Sequence, residues 1–300
     1  MKPNSYPVPR VASLALRLHN EPWAITEEAH GALSERALGV LRGTTAAQSP
    51  QAETPKELSE SDKYKGFEIV EGVARIPITG VMYKGFSEQL YDRIWDVTST
   101  DVVERLVRVS ANDSSVRAIL LDVDSPGGLT SGVPSLADAV MEARMNKPVI
   151  AYTNGMMASA AYYVGSQADA VLAADGSSVG SIGVFIKFAD FTQLFREWGI
   201  SVEVFKSGRY KGMGSIGTSL TDEQRQHLQA TVMEIFAEFK AAVLRARPGV
   251  KDDAMQGQGL QAKSALAAKL IDGIQAWPSV VRDTERLINI RANNNGRVKR

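Results

Sequence analysis

Four closely spaced segments between Ala118 and Lys211 decide the fold. They are AILLDVDSPGGLTSG (118–132), PVIAYTNGMMASAAYYVGSQADAVLA (148–173), GSIGVF (180–185) and FKSGRYKG (205–212). The first two each begin with a run of apolar residues that is typical of a strand covered on both faces. The first run ends in a Gly-Gly turn. The second breaks at Asn154-Gly155 and leads into small residues that predict the start of a helix at Ser159.

Outside these segments, predicted strands and helices continue to alternate. Further strands are predicted at 73–82, 168–175, 180–188 and 201–208, and helices at 87–110, 131–146, 188–199, 221–247 and 262–277. Buried strands joined by helices of this length indicate an α/β fold with a largely parallel sheet.

The N-terminal part of the sequence divides into an arm and a linker. Apolar residues recur at helical spacing after Thr26, which predicts an amphipathic helix within an N-terminal arm over 1–42. Residues 43–65 are rich in Thr, Ser, Gln, Pro and Glu, a composition that favours a flexible linker. The main domain is expected at 66–290, and the polar, basic residues 291–300 form a predicted disordered tail. The arm is interpreted as an appendage with an interaction role.

The composition argues against several classes of function. The 300 residues include 34 basic and 34 acidic side chains, so charge gives no argument for nucleic acid or an anionic membrane as a partner. The absence of cysteine excludes disulfides, thiolate catalysis and Cys-ligated zinc, and it is compatible with the cytoplasm. No apolar run approaches the ~20 residues of a membrane helix, and the N-terminal residues are too polar for a secretory signal.

Ser159 is the candidate nucleophile. It lies among alanines at a strand-to-helix junction, where free backbone N–H groups could stabilise an oxyanion. The competing interpretation is a serine that caps or packs against the helix. A serine hydroxyl needs a base, and no histidine lies between Ala118 and Lys211, so lysine is the remaining candidate.

Lys211 is the candidate base. The sequence has no acidic residue between Glu203 and Asp222, and the nearby cations Lys206 and Arg209 would favour a neutral amine. The alternative is an ordinary solvated lysine in a loop.

The Ser125-Pro126-Gly127-Gly128 turn is the third candidate feature. Its glycines allow backbone N–H groups to face a ligand without a Cβ in the way. An ordinary strand-to-helix turn remains the alternative.

Together these segments resemble the signal peptide peptidase A family of serine proteases. DSPGG, Gly-x-x-x-Ser-x-x-Tyr-Tyr, GSIGV, SGxYKG and AKSALAAKLIDGI place the resemblance over roughly residues 67–275. The resemblance implies a Ser–Lys dyad, with Ser159 as the acylating nucleophile and Lys211 as the general base. It also implies an oxyanion hole formed by Gly128, with Gly127, and the backbone N–H of Ala160. No metal and no cofactor are expected.

The family also implies a fold and an assembly. Its members share the Clp protease/crotonase-like fold of repeated ββα units, which here carries an N-terminal helical arm. Its single-domain members form homo-oligomeric rings in which the serine and lysine of one site come from neighbouring subunits. Small residues around the nucleophile, among them the candidate substrate-binding residues Ala158 and Gly183, indicate a shallow pocket for small or apolar side chains.

Two features of the sequence differ from the usual pattern of the family and indicate one of its branches. Ser159-Ala160-Ala161 stands where the family usually has Ser-Gly-Gly, and the arm and linker stand where cellular members have a membrane-spanning segment. This arrangement resembles the phage and prophage branch, the head (capsid) maturation proteases. That branch implies cleavage of scaffold, capsid proteins and the protease itself inside the procapsid, with the arm as an assembly or propeptide element.

Three other functions remain open from the sequence. They are a cytoplasmic peptide-degrading protease of the same family, a crotonase-type acyl-CoA enzyme, and a non-enzymatic scaffold or assembly protein.

Overall fold

A computed structural model of the chain describes residues 21–41, 67–85, 97–277, 284 and 288. The predicted linker 43–65 and tail 291–300 lie outside the described residues. The strands are β1 (Trp23–Ile25), β2 (Glu68–Val70), β3 (Val73–Thr79), β4 (Val81–Tyr83), β5 (Val97–Ser99), β6 (Ala118–Asp124), β7 (Gly127–Leu129), β8 (Val149–Thr153), β9 (Met156–Ala158), β10 (Ala170–Ala173), β11 (Ser178–Gly180), β12 (Gly259–Gln261) and β13 (Gly273–Ile274). The helices are α1 (Glu27–Leu41), α2 (Thr100–Asn112), α3 (Val133–Asn146), α4 (Ala160–Gly165), α5 (Thr192–Glu197), α6 (Asp222–Ala246) and α7 (Ala262–Ala267).

The core is built on a six-stranded sheet with the order β13-β10-β8-β6-β3-β2. Strand β6 pairs in parallel with β3 and β8, and β8 pairs in parallel with β10. Every residue of β8 is buried, as the continuous apolar run predicts for a strand covered on both faces. Only β2, at one edge, runs antiparallel to its neighbour. The predicted largely parallel sheet is confirmed.

Four strands of this sheet are each followed within a few residues by a short strand that joins another sheet. The pairs are β3–β4, β6–β7, β8–β9 and β10–β11. Strands β4 and β7 lie in a sheet of order β1-β7-β4-β5, whereas β9 and β11 lie in one of order β12-β11-β9. Helices α3 and α4 directly follow the second and third pairs. The predicted fold of repeated ββα units is therefore confirmed.

Part of the predicted N-terminal arm belongs to one of these sheets. Strand β1 pairs antiparallel with β7, and the Trp23 side chain is completely buried. An apolar triplet has no local pattern that predicts its partner, and this partner lies about a hundred residues further along the chain. The arm is thus no appendage at residues 23–25. Helix α1, which follows at once, confirms the predicted helix of the arm.

Four sequence predictions of secondary structure are wrong. Residues 97–99, within the segment 87–110 that was predicted as helical, form strand β5, and helix α2 begins only at Thr100. Residues 201–208 form no strand, and strand β11 ends at Gly180, after which only an isolated bridge at Phe185 remains. The helix predicted over 262–277 ends at Ala267. A strand needs a partner strand. No described strand pairs with residues 201–208, and the Phe205 side chain within them is 93% exposed. None of the helices in the described ranges has the length and apolar character required to cross a bilayer.

Candidate active site

Ser159 lies at the junction between β9 and α4, with its backbone in an unusual conformation. Its dihedral angles are φ 54° and ψ −121°, a region that residues other than glycine rarely adopt. Such a conformation costs about 1–3 kcal/mol and persists only where the surrounding structure imposes it. Here the Ser159 N–H donates to the Gly180 carbonyl at 2.7 Å, and its own carbonyl accepts from the Tyr163 N–H at 2.9 Å. The backbone is therefore held on both sides of the side chain.

The Ser159 hydroxyl does not cap the helix that follows it. No hydrogen bond joins its oxygen to a backbone amide of α4, so the interpretation of Ser159 as a helix cap is wrong. The hydroxyl instead donates to the Gly183 carbonyl at 3.5 Å, the long limit of a hydrogen bond. The side chain is fully buried. A strained serine whose hydroxyl does not cap its helix is typical of a functional position.

The Gly-Gly turn after β6 packs directly against Ser159. Gly127 has φ +102°, and a Cβ built on it would lie 2.9 Å from the Ser159 Cβ and 3.0 Å from the Ala160 amide nitrogen. A Cβ on Gly128 would come 1.9 Å from the Met82 carbonyl oxygen. Neither position admits a side chain. The Gly127 backbone therefore packs against Ser159, and the Gly128 backbone packs against Met82.

Ser125 fixes this turn in place. Its buried hydroxyl donates to the Gly80 carbonyl at 2.6 Å and accepts from the Gly127 N–H at 3.2 Å. Its backbone N–H donates to the Met156 carbonyl, and its carbonyl accepts from the Ala158 N–H, so the turn is tied to strand β9. The sequence analysis noted Ser125 only as part of the turn and missed this positioning role, because its partners come from three separate elements.

Lys211 occupies a different environment. It is exposed, in a stretch between α5 and α6 that contains no strand, and its backbone N–H closes a turn with the Gly208 carbonyl at 3.1 Å. Within the described part of the chain, no hydrogen bond joins its side chain to Ser159. In the single chain the predicted nucleophile, Ser159, is therefore buried, whereas the predicted base, Lys211, is exposed. Their catalytic roles stay predictions.

The surroundings of Lys211 are more acidic than the local sequence indicates. Helix α6 brings Glu223 to this stretch, where Arg209 donates to its carboxylate at 2.6 Å and the Tyr210 hydroxyl at 3.1 Å. The hydrogen bond from Arg209, followed by that from Tyr210, lowers the pKa of Glu223. The sequence has no acidic residue between Glu203 and Asp222, but in the folded chain the Glu223 carboxylate lies next to this stretch.

A cavity of about 530 Å³ opens beside the candidate site. Residues 181–186 form one wall, and helix α6 contributes Val232, Met233 and Phe236 to the other. Gly183, one of the two predicted substrate-binding residues, lines this cavity. Ala158 does not, because it is buried beneath the site. The apolar wall from α6 could not be predicted, since the helix follows the site by some seventy residues of chain. Within the described ranges, no three His, Asp or Glu side chains are grouped so that they could hold a metal ion.

Comparison with known proteins identifies a family for this chain. The family model described as Peptidase family S49 matches residues 142–291, which include Ser159, Gly183 and Lys211. The chain belongs to peptidase family S49.

Its relatives in this family include proteins of cells and of phages. A protein of Methanocaldococcus jannaschii named as a protease is 31% identical over 208 residues, covering 68% of this chain and 65% of the relative. The head-tail preconnector protein GP5 of Enterobacteria phage P21 is 29% identical, covering 86% of this chain and 54% of the relative. The capsid assembly protease C of Escherichia phage lambda is 28% identical, with 92% and 66% covered. The chain thus spans between half and two thirds of the length of these S49 relatives.

The solved structures that the S49 chain resembles include an enoyl-CoA hydratase from Mycobacterium avium subsp. paratuberculosis. That structure has a TM-score of 0.44, is 15% identical in sequence, and covers 74% of each chain.

Proposed function

We propose that this S49 protein is a serine endopeptidase in which Ser159 attacks the peptide carbonyl and Lys211 is the general base. The observation that carries the proposal is the placement of Ser159. Its strained backbone, its hydroxyl free of any cap role and its contact with the Gly127 turn and the Ala160 amide are what an acylating serine requires.

The reaction follows from these groups. A neutral Lys211 amine accepts the Ser159 proton as the hydroxyl oxygen attacks the carbonyl carbon. The backbone N–H groups of Gly128 and Ala160 hold the oxyanion, and one such donor is worth about 3 kcal/mol. Lys211 then returns the proton to the leaving amine. Water hydrolyses the acyl-enzyme, which regenerates the serine.

We propose that the lysine reaches the serine from a neighbouring subunit. The stretch that carries Lys211 exposes an unusual amount of apolar surface, including Phe205 at 93%, Trp198 at 64% and Ile216 at 51% exposure. Exposed apolar groups concentrated in one stretch are typical of a protein–protein interface. A second copy that covers this face would bury the apolar groups and could carry Lys211 to the serine of its neighbour. A homo-oligomeric ring is therefore the proposed active form.

We further propose a role in phage or prophage capsid maturation, in the host cytoplasm or inside the procapsid. The support is the likeness, over 92% of this chain, to a protein named capsid assembly protease C. Scaffold, capsid proteins and the protease itself would be the substrates. A peptide-degrading role in the cytoplasm is the second candidate, because Protease 4 of Haemophilus influenzae is also a relative, at 24% identity.

Two inactive variants test both the dyad and its shared character. Ser159→Ala and Lys211→Met should each abolish hydrolysis of a casein substrate and labelling by a fluorophosphonate probe, whereas the matched Lys206→Met should keep substantial activity. If the dyad is shared, co-assembly of the two inactive variants in equal amounts should restore about a quarter of the wild-type rate, since random mixing pairs an intact serine with an intact lysine at that frequency.

Full activity in Ser159→Ala or Lys211→Met would contradict the dyad. Inactivity of the mixed assembly, with each variant inactive alone, would place both groups in one subunit.

A further inference from the structure

Strand β1 runs through the candidate active site. On one side it pairs antiparallel with β7, the strand that contains Gly127 and Gly128. On the other side it pairs antiparallel with Phe185, where the Trp23 N–H donates to the Phe185 carbonyl and the Phe185 N–H donates to the Trp23 carbonyl, each at 2.9 Å. The segment therefore completes a three-stranded arrangement beside Ser159, although it lies far from this region in sequence.

The register brings one carbonyl of β1 to the catalytic groups. The Thr26 N–H donates to the Pro126 carbonyl, and the Thr130 N–H donates to the Pro22 carbonyl. Hydrogen-bonded pairs alternate in an antiparallel ladder, so Ala24 and Gly128, paired between these two bonds, form the next hydrogen-bonded pair. The Ala24 carbonyl thus faces the amide that is proposed as an oxyanion donor.

A second measure gives the same placement. The Cβ position built on Gly127 lies 2.2 Å from the Ala24 carbonyl oxygen, 2.9 Å from the Ser159 Cβ and 3.0 Å from the Ala160 amide nitrogen. The carbonyl oxygen, the serine and the helix amide therefore converge on one point. A peptide carbonyl of the chain itself therefore lies next to the proposed nucleophile and next to a proposed oxyanion donor.

The strand lies beside a serine that solvent does not reach, and only part of the strand packs in the main core. Ser159 is completely buried in the chain with β1 paired, and Ala24 belongs to the main core. Trp23 and Ile25 pack with Val81, Tyr83 and Leu129 in a small apolar cluster that is distinct from the main core. These two side chains therefore lie outside the main core.

We propose that the groove between β7 and residues 181–185 is the peptide-binding cleft, and that the chain's own residues 22–26 occupy it in the register of a substrate. Ala24 holds the position of the residue whose carbonyl is attacked. An extended polypeptide must displace this segment before it can bind. The inference rests on the proposed function, because it takes Ser159 as the nucleophile of that cleft.

Binding of a peptide to an inactive host tests the inference without any need for activity. The host is the full chain with Ser159→Ala, and the probe is a fluorescein-labelled peptide with the sequence of residues 21–30, EPWAITEEAH. Ala24→Pro in the host removes the N–H that pairs with Gly128 and should free the cleft. The probe should then bind about tenfold tighter or more, since the apparent affinity scales with the fraction of open molecules.

Two controls accompany this measurement. Ile69→Pro places the same substitution in the edge strand β2, at a residue that is 44% exposed and far from the cleft in the sheet order. Its affinity for the probe should equal that of the host. A probe that carries proline at the position of Ala24 should not bind to the opened cleft.

Equal affinity of the folded Ala24→Pro host and the Ile69→Pro control would overturn the inference. Thr26→Pro covers the case in which Ala24→Pro does not fold. It removes the hydrogen bond from the Thr26 N–H to the Pro126 carbonyl at the end of the strand, together with the long bond from the Ala29 N–H to the Thr26 hydroxyl. If both variants unfold by circular dichroism, β1 is a structural strand and the inference is wrong. If the cleft opens and binds the probe while no variant with an intact Ser159 hydrolyses protein, the proposed function fails and the binding site stands.

Discussion

Replacement of Ser159 by glycine should stabilise the fold while it removes the nucleophile. The two effects are separable because the strain at this position lies in the backbone and the proposed chemistry lies in the side chain. Ser159→Ala removes the hydroxyl but keeps the Cβ at φ 54° and ψ −121°, whereas Ser159→Gly removes both. Both variants should be inactive, and only the glycine variant should gain stability.

The magnitude follows from the backbone conformation. A residue with a Cβ in such a region costs about 1–3 kcal/mol, and glycine relieves this cost. Glycine in turn loses about 0.5–1 kcal/mol through the greater freedom of the unfolded chain. The net gain over serine should therefore lie in the range of about 0–2.5 kcal/mol, with a midpoint of about 1.2 kcal/mol. The lost hydroxyl subtracts little, because its bond to the Gly183 carbonyl is 3.5 Å long.

Urea unfolding at fixed protein concentration measures the free energy of unfolding of wild type and both variants. The expected order is Ser159→Gly above wild type, with Ser159→Ala within about 0.5 kcal/mol of wild type. Glu71→Gly provides a matched control, because Glu71 also has a positive φ of 50° but lies in the turn between β2 and β3, away from the site. A glycine variant that is less stable than the alanine variant would refute the strain at Ser159 and weaken its assignment as nucleophile.

The remaining predictions concern a buried phenol and an exposed carboxylate. Burial raises the pKa of Tyr162, so its hydroxyl stays protonated and donates to the Leu270 carbonyl at 2.8 Å. Tyr162→Phe removes this hydrogen bond and should lower the free energy of unfolding, measured in urea, by about 1–2 kcal/mol. An unchanged midpoint would contradict this. Hydrogen bonds from Thr192 lower the pKa of Asp190 to about 2, from a usual value of 3.8. Its stabilising effect is thus complete above the usual value and is lost as the pH falls through about 2. The rate at which pepsin cuts within residues 186–221, divided by the rate for Asp190→Asn at the same pH, should therefore rise towards pH 2. A ratio that does not change with pH would exclude Asp190 as the cause.

The sequence predicted those elements whose pattern is local. Strands β6 and β8 are runs of apolar residues buried on both faces, and such a run can satisfy its side chains only inside a parallel sheet. Helix α6 begins at Thr221 with a capping box, since Thr221 and Gln224 exchange hydrogen bonds between side chain and backbone. The same local chemistry located Ser159 at a strand-to-helix junction.

Elements that depend on a distant partner were missed or misplaced. Residues 201–208 have the composition of a strand, but none of the segments that the structure describes pairs with them, and Phe205 faces solvent. Strand β1 forms because β7 and Phe185 offer free backbone groups on both sides. Glu223 reaches Arg209 only because α6 starts beside the preceding stretch. A pattern of residue types carries no information about such pairings.

The sequence by itself determined the α/β class and the serine at a strand-to-helix junction, because burial periodicity and turn chemistry act over a few residues. The ββα units were implied only by the resemblance of its motifs to a known family. Only the tertiary structure decided that the backbone at Ser159 is strained, that Lys211 is exposed and that residues 22–26 lie across the site. These features arise where segments far apart in the chain compete for the same hydrogen bonds and the same buried surface. Which segments form these hydrogen bonds and bury this surface depends on the packing of the whole domain rather than on any one segment.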